Sequence, residues 1–289
     1  MSGPQRPSPL ALPSAWNLVA EGYDQTTRAY LEAFSRSGRA MLDVSPDAKV
    51  IDVACGPGTT ALLLAPDVVR CACVDFSGAM LDELRRNAAA AGAANLDAIE
   101  ADGQALPFDD ASFDIGISMF GLMFFPDRAK GFAELRRVLV PGGQILVSSW
   151  AAAEQSPLVQ VIASALRPAD APAGPPPPLA GLEDPAVFEA ELRQAGFADI
   201  DIRPVAHAVK VDDVATFWQD MVRGTAPLAA WKQDAGADEW ATVERQALDR
   251  RFAVDARCVG SLDLAETHAP GDSIARSRRV RSVSSTAKS

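Results

Sequence analysis

Cysteine and histidine are scarce in this chain, and their placement excludes more than it suggests. Cys55, Cys71, Cys73 and Cys258 form neither a disulfide framework nor a paired C-x-x-C metal spacing. Cys71 and Cys73 flank Ala72 in an apolar run, which reads as buried thiols in a reducing, cytoplasmic setting. His207 and His268 are brought to no common site by their spacing, so no metal centre is expected and no catalytic base is named. An excess of positive charge is also missing. Lys and Arg number 27 against 38 Asp and Glu, a net charge of −11. That balance argues against a large nucleic-acid footprint, which needs clustered cations. No apolar run is long enough to span a bilayer. The Pro-rich N-terminus has no charged region ahead of an apolar stretch, so no signal peptide is read.

What remains is an ordinary globular composition, 48% hydrophobic and 22% charged over 289 residues. It suits one α/β domain with additions, or at most two domains. The chain is organised around Val50 to Ala65, VIDVACGPGTTALLLA. Val50 to Val53 reads as a buried strand. Gly56-Pro57-Gly58 turns the chain, and an Ala/Leu-rich helix follows, with Thr59 and Thr60 where N-cap or first-turn hydroxyls are useful. Strand, glycine turn and helix together hold nucleotide-like ligands: the glycines let the backbone come close, and the helix presents free N–H groups.

Gly56, Gly58 and Ala61 fit the dinucleotide pattern G-x-G-x-x-[G/A], a weak signal alone. Two details favour another ligand. Asp52, near the end of the apolar strand, repels a pyrophosphate and suits an ammonium or sulfonium cation. Pro57 removes an N–H that a phosphate would want. A second strand, Val69 to Val74, ends at Asp75, where an acid about 20 residues past the glycines usually holds a ribose diol. Asp75 or Ser77 could equally cap the helix Ala79 to Ala91. Asp102 follows a third strand, Leu96 to Glu100. It could accept from an adenine amino group, although Asp102-Gly103 is also a turn dipeptide. A fourth strand, Phe113 to Ser118, runs into the apolar loop Met119 to Pro126. A helix, Asp127 to Leu139, then leads through Pro141-Gly142-Gly143 to a fifth strand, Gln144 to Trp150.

With these segments in order, about a third of the chain resembles the core of class I S-adenosylmethionine-dependent methyltransferases. The small-molecule branch around the ubiquinone/menaquinone C-methyltransferases is most similar. VIDVACGPGTT, VDFSGAML, EADGQALPF, SFDIGISMFGLMFF and ELRRVLVPGGQILVSSW carry the resemblance. It implies an α/β fold: a Rossmann-like, doubly wound, seven-stranded, mostly parallel sheet with helices on both faces and helical lid segments. It implies S-adenosylmethionine as cofactor and S-adenosylhomocysteine as product. Asp52, Ala54 and the Gly56–Gly58 turn would hold the methionine part. Asp75 would bind the ribose with Phe76 against the adenine, Asp102 and Gly103 would meet the adenine amino edge, and Met119 would lie beside the adenosine. Many relatives have a third glycine soon after Gly58; here Thr59-Thr60 follows directly.

The implied activity is in-line methyl transfer to an O, N or C nucleophile of a small-molecule acceptor. No nucleic acid or membrane partner is expected, and a homo-oligomer is left open. An NAD(P)-dependent oxidoreductase and a non-catalytic S-adenosylmethionine-binding regulatory protein are the alternatives. Residues 1–13 read as a disordered N-terminus and 14–44 as a helical lid, in which Trp16 and Tyr23 either face the ligand or, the reading favoured for each residue by itself, pack onto the sheet edge. Residues 45–150 read as the cofactor-binding core. Residues 151–270 supply helical insertions and C-terminal strands that complete the sheet and acceptor pocket, and 271–289 a disordered tail. Within them Ala165 to Leu179 is a Pro-rich linker, Pro185 to Ala195 a helix, and Asp199 to Val211 a strand holding His207. Val214 to Ala230 reads as one helix with Phe217, Trp218, Met221 and Val222 on a core-like stripe. Asp238 to Arg250 reads as another helix, and Arg257 to Leu264 is the candidate last strand.

Overall fold

The computed structural model describes residues 8–152, 155, 181–208, 212–249 and 257–267. The linker Ala165 to Leu179, His268 and the tail Ser273 to Ser289 lie outside them. Five parallel strands make the centre: β1 (Lys49–Val53), β2 (Arg70–Asp75), β3 (Leu96–Glu100), β4 (Phe113–Met119) and β5 (Leu139–Trp150). Their spatial order is β3-β2-β1-β4-β5. The chain winds outward from β1 to β3, then crosses back to β4 on the other side. The carboxyl ends of β1 and β4 therefore meet at a topological switch point, where open α/β sheets take their ligands. Beyond β5 the sheet continues through two antiparallel strands, β6 (Phe197–Ala208) and β7 (Arg257–Thr267), with β7 between β5 and β6.

The central strands are apolar on both sides because both faces are covered. Val50, Cys71, Cys73, Ile115 and Ile117 point to one face. There they meet Ala61 and Leu64 of α3 (Thr59–Leu64), and Leu81 and Leu84 of α4 (Gly78–Ala91). Ile51, Val53, Ala72 and Val74 point to the other face and join Phe132 and Leu135 of α5 (Arg128–Val138). Two helices precede the sheet, α1 (Pro13–Gly22) and α2 (Arg28–Arg39), joined by a π-helical turn at Tyr23–Thr27. After β5 come α6 (Pro185–Gln194), α7 (Val214–Gly224), α8 (Ala226–Asp234) and α9 (Ala237–Asp249).

Three local expectations need correction. Residues 8–13 are ordered: Pro9–Ala11 forms a 3-10 turn, and Pro13 opens α1 at a position where its missing N–H costs nothing. The Trp16 indole N–H, donating to the Leu10 carbonyl at 2.8 Å, ties this segment to α1. The single helix expected over Val214 to Ala230 is two, because Thr225 is extended (φ −123°, ψ 123°) and Pro227 starts a new helix. Finally, Pro141-Gly142-Gly143 is an irregularity inside β5 rather than a turn before it. Pairing jumps from Phe113–Leu139 to Ile115–Gln144, and Gly142 takes φ +81° to absorb the extra residues.

Candidate functional site

At the end of β1 the backbone enters a conformation that few residues tolerate. Ala54 (φ +56°), Gly56 (φ +55°) and Gly58 (φ +86°) are left-handed within five residues, and Phe120 (φ +55°) joins them from the end of β4. Such strained positions cluster at ligand sites. The two glycines serve different ends. A Cβ on Gly58 would fall 2.2 Å from Leu84 Cδ1, so this glycine lets α4 pack against the turn. A Cβ on Gly56 would meet nothing within 4 Å, because that side opens on a cavity. The hydroxyl cap expected at Thr59 or Thr60 is absent: Gly58 is the N-cap, and the buried Thr60 hydroxyl bonds Ser35 of α2 at 2.8 Å.

The cavity has a volume of about 320 Å³. Ala54, Gly56, Asp75, Phe76, Asp102, Gly103 and Met119, all singled out in the sequence, line it. So do Trp16 and Tyr23 from the N-terminal helices and Phe124 and Phe125 from the apolar loop. A smaller adjoining cavity of about 30 Å³ shares Tyr23, Ala54, Gly56, Met119 and Phe120 and adds Asp52, Ser35 and Thr60. Gly58 lines neither. Leu10, Ala11 and Pro13 also line the larger cavity; their Pro-rich composition gave no sign of it in the sequence.

Asp75 is the most strongly positioned side chain. It is 6% exposed. Its Oδ2 accepts from Gly56 N at 2.9 Å, and its Oδ1 accepts from Ser77 N at 2.9 Å. The carboxyl is thus aimed by the glycine turn on one side and by the start of α4 on the other. Burial pushes its pKa from 3.8 up to about 6, against the lowering effect of the Ser77, Gly56 and Phe76 amides. Ser77, not Asp75, caps α4 by accepting from Met80 N at 3.2 Å. Asp52 is more deeply buried, at 2% exposure. Burial raises its pKa well above the usual range, and the Cys73 and Asp75 charges add to this. An acid so placed gains by acquiring a cation as neighbour. Tyr23 is held neutral, its pKa raised by burial and then by Tyr30 and Asp75.

Asp102 sits differently. It is exposed, and its Oδ1 accepts from Gln104 N at 2.9 Å and from Gln104 Nε2 at 3.1 Å. Both the turn reading and the cavity-rim placement hold for it. Gly103 is required by packing, since a Cβ there would lie 2.5 Å from Phe125 Cζ. His207 lines neither cavity: its Nε2 bonds Ser37 Oγ at 3.1 Å, and its ring meets Phe34 edge-on at 4.7 Å. Trp218, Met221 and Val222 lie in the core, with Trp218 stacked near Trp240 at 6.3 Å. Among the described residues, no group of three or more His, Cys, Asp and Glu side chains could hold a metal.

The same stretch that builds this rim, residues 50–143, matches the family model described as a methyltransferase domain. The chain carries a methyltransferase domain. Over 130 residues it is 37% identical to a demethylmenaquinone methyltransferase of Clavibacter sepedonicus, covering 45% of this chain and 49% of that one. A ubiquinone/menaquinone biosynthesis C-methyltransferase of Geotalea daltonii is 32% identical over 140 residues, covering 46% and 60%. The chain thus spans about half to three fifths of the length of these relatives. In fold, the chain resembles the [4+2]-cyclase SpnF, with a TM-score of 0.57 at 19% identity over 93% of this chain and 100% of that chain. The methyltransferase domain resembles those of the class I, S-adenosylmethionine-dependent quinone methyltransferases. Neither an oxidoreductase nor a non-catalytic binding protein is favoured by these relatives.

Proposed function

We propose that the chain transfers a methyl group from S-adenosylmethionine to a neutral small-molecule acceptor, by in-line displacement at an O, N or C nucleophile. One observation carries the reading: a buried carboxyl at the end of β2, Asp75, aimed by two backbone amides into a cavity that Gly56 leaves open. The residues present fit the cofactor. Asp75 keeps lone pairs for a ribose diol, and Phe76 offers an aromatic face to the adenine. Gly103 and Asp102 would meet the adenine edge, and Met119 would lie beside the adenosine. Asp52, Ala54 and Gly56 would hold the methionine part, with Gly58 shaping the turn from its far side, and the buried Asp52 carboxyl would be an anion beside a cation. When bound, the cofactor supplies an electrophilic methyl on a sulfonium, whose positive charge disperses during transfer.

What this chain contributes is positioning and dryness. Met119 to Phe125 and Trp16 exclude water from the rim, which favours a reaction that disperses charge. Residues 14–44 act as a lid over the 45–150 core, and the antiparallel strands complete a seven-stranded sheet. Among the described residues, none that lines either cavity is Lys, Arg or His. The carboxyls of Asp52, Asp75 and Asp102 on these walls favour a neutral acceptor that arrives with its own nucleophile. The relatives named for quinone methylation have acceptors of that kind. The test is release of S-adenosylhomocysteine when the protein meets S-adenosylmethionine and panels of quinols, phenols, amines and organic acids. Turnover confined to neutral acceptors is expected; turnover only with anionic ones would contradict the acceptor assignment.

A further inference from the structure

A π-helical turn is a rare interruption of a helix and recurs at functional sites. The turn at Tyr23–Thr27 looks three ways. Tyr23 lines both cavities. Thr27 donates to the Gly224 carbonyl of α7 at 2.7 Å, while the Thr26 hydroxyl turns back to the Gly22 carbonyl at 2.7 Å. Asp24 reaches α4, where its Oδ1 accepts from Asn87 Nδ2 at 2.7 Å. The same Asn87 Nδ2 donates to the Pro57 carbonyl at 3.2 Å. Both partners of that nitrogen are acceptors, so the network itself sets the orientation of the amide.

Pro57 is the middle of the glycine turn, and it has no N–H. Its neighbours are tethered through their amides, Gly56 to Asp75 and Gly58 to the Cys55 carbonyl at 3.0 Å. Pro57 can be tethered only through its carbonyl, and Asn87 does this. Asn87 in turn is held by Asp24, which also takes Arg28 Nε at 2.9 Å. Neither Asp24 nor Asn87 lines a cavity.

We propose that Asp24 and Asn87 are positioning residues for the cofactor turn. The N-terminal lid holds Pro57 in place through Asn87, so that the order of the lid and the shape of the turn depend on each other. This rests on the reading of the cavity as the S-adenosylmethionine site. It predicts that a residue which never touches the cofactor tunes its binding, and that it does so only through Asn87.

The test is calorimetric titration of the full chain and its variants with S-adenosylhomocysteine. Asn87→Ala and Asp24→Ala should each weaken binding about tenfold, the loss of a charge-assisted hydrogen bond. Asp24→Asn keeps an acceptor oxygen toward Asn87 and should stay within about threefold of the parent. The double variant Asp24→Ala/Asn87→Ala should bind no more weakly than Asn87→Ala alone. Parental affinity in a folded Asp24→Ala, additive losses in the double variant, or equal losses in Asp24→Asn and Asp24→Ala would each overturn the bridge. If Asn87→Ala does not fold, the Asp24 pair decides. A parent that binds no S-adenosylhomocysteine overturns the cofactor reading and the bridge together; a parent that binds beside unaffected variants overturns the bridge alone.

Discussion

Asp75 concentrates the chemistry of the site in one carboxyl whose pKa stands at about 6. A diol needs the ionised form as a double acceptor, so cofactor affinity should fall below pH 6, by up to about tenfold per pH unit. The ligand-free protein should show the opposite trend. Because the folded pKa lies above the unfolded one, this group's contribution is complete below 3.8 and is lost as pH rises through 6. The amount at stake is up to about 3 kcal/mol. Asp52 shifts in the same direction. Thermal melts from pH 4 to 8, with and without S-adenosylhomocysteine, measure both trends, and Asp75→Asn should flatten them. The two glycines give a second test at this scale. Gly58→Ala forces a methyl onto Leu84 at φ +86° and should cost about 2–4 kcal/mol of stability. Gly56→Ala carries only the backbone strain, about 1–2 kcal/mol, yet should lose cofactor binding because its methyl enters the cavity. The glycine pattern pointed to a turn, but a motif cannot distinguish a glycine facing a ligand from one facing Leu84. That difference appears only when α4 is packed.

Among elements, the strand ends were the most legible. Each acid that closes an apolar run, Asp52, Asp75 and Asp102, comes to the carboxyl edge of the sheet because parallel strands share a direction. The N-terminal helices were legible as helices but not in their attachments. Asn17 is one such attachment: its Oδ1 accepts from Ser77 Oγ at 2.7 Å and Ala79 N at 3.3 Å, fastening α1 to the start of α4 beside Asp75. Nothing local in the sequence marks Asn17, since its partners lie 60 and 62 residues away. Asn17→Ala should cost about 1 kcal/mol and speed amide exchange in α1 more than in the sheet. S-adenosylhomocysteine should slow that exchange again; uniform exchange changes across both elements would argue against a lid. Residues 8–13 were misread for a related reason. Their composition favours disorder, and what orders them is one long side chain, Trp16, reaching back to Leu10.

For the whole molecule, composition and motif order were enough for the α/β class and the doubly wound core. Helix boundaries beyond Trp150 were less legible, because Thr225 and Pro227 break a pattern whose apolar period alone runs on. The acidic balance, a net charge of −11, extends to the cavity walls, where Asp52, Asp75 and Asp102 are found. A shared fold does not determine chemistry; what occupies the cavity does. Calorimetric titration of the purified chain with S-adenosylmethionine, S-adenosylhomocysteine and NADH in parallel tests that most directly. Binding of the first two, weakened at least about tenfold by Asp75→Ala, is the predicted result. Binding of NADH alone, or S-adenosylmethionine binding indifferent to Asp75→Ala, would contradict it.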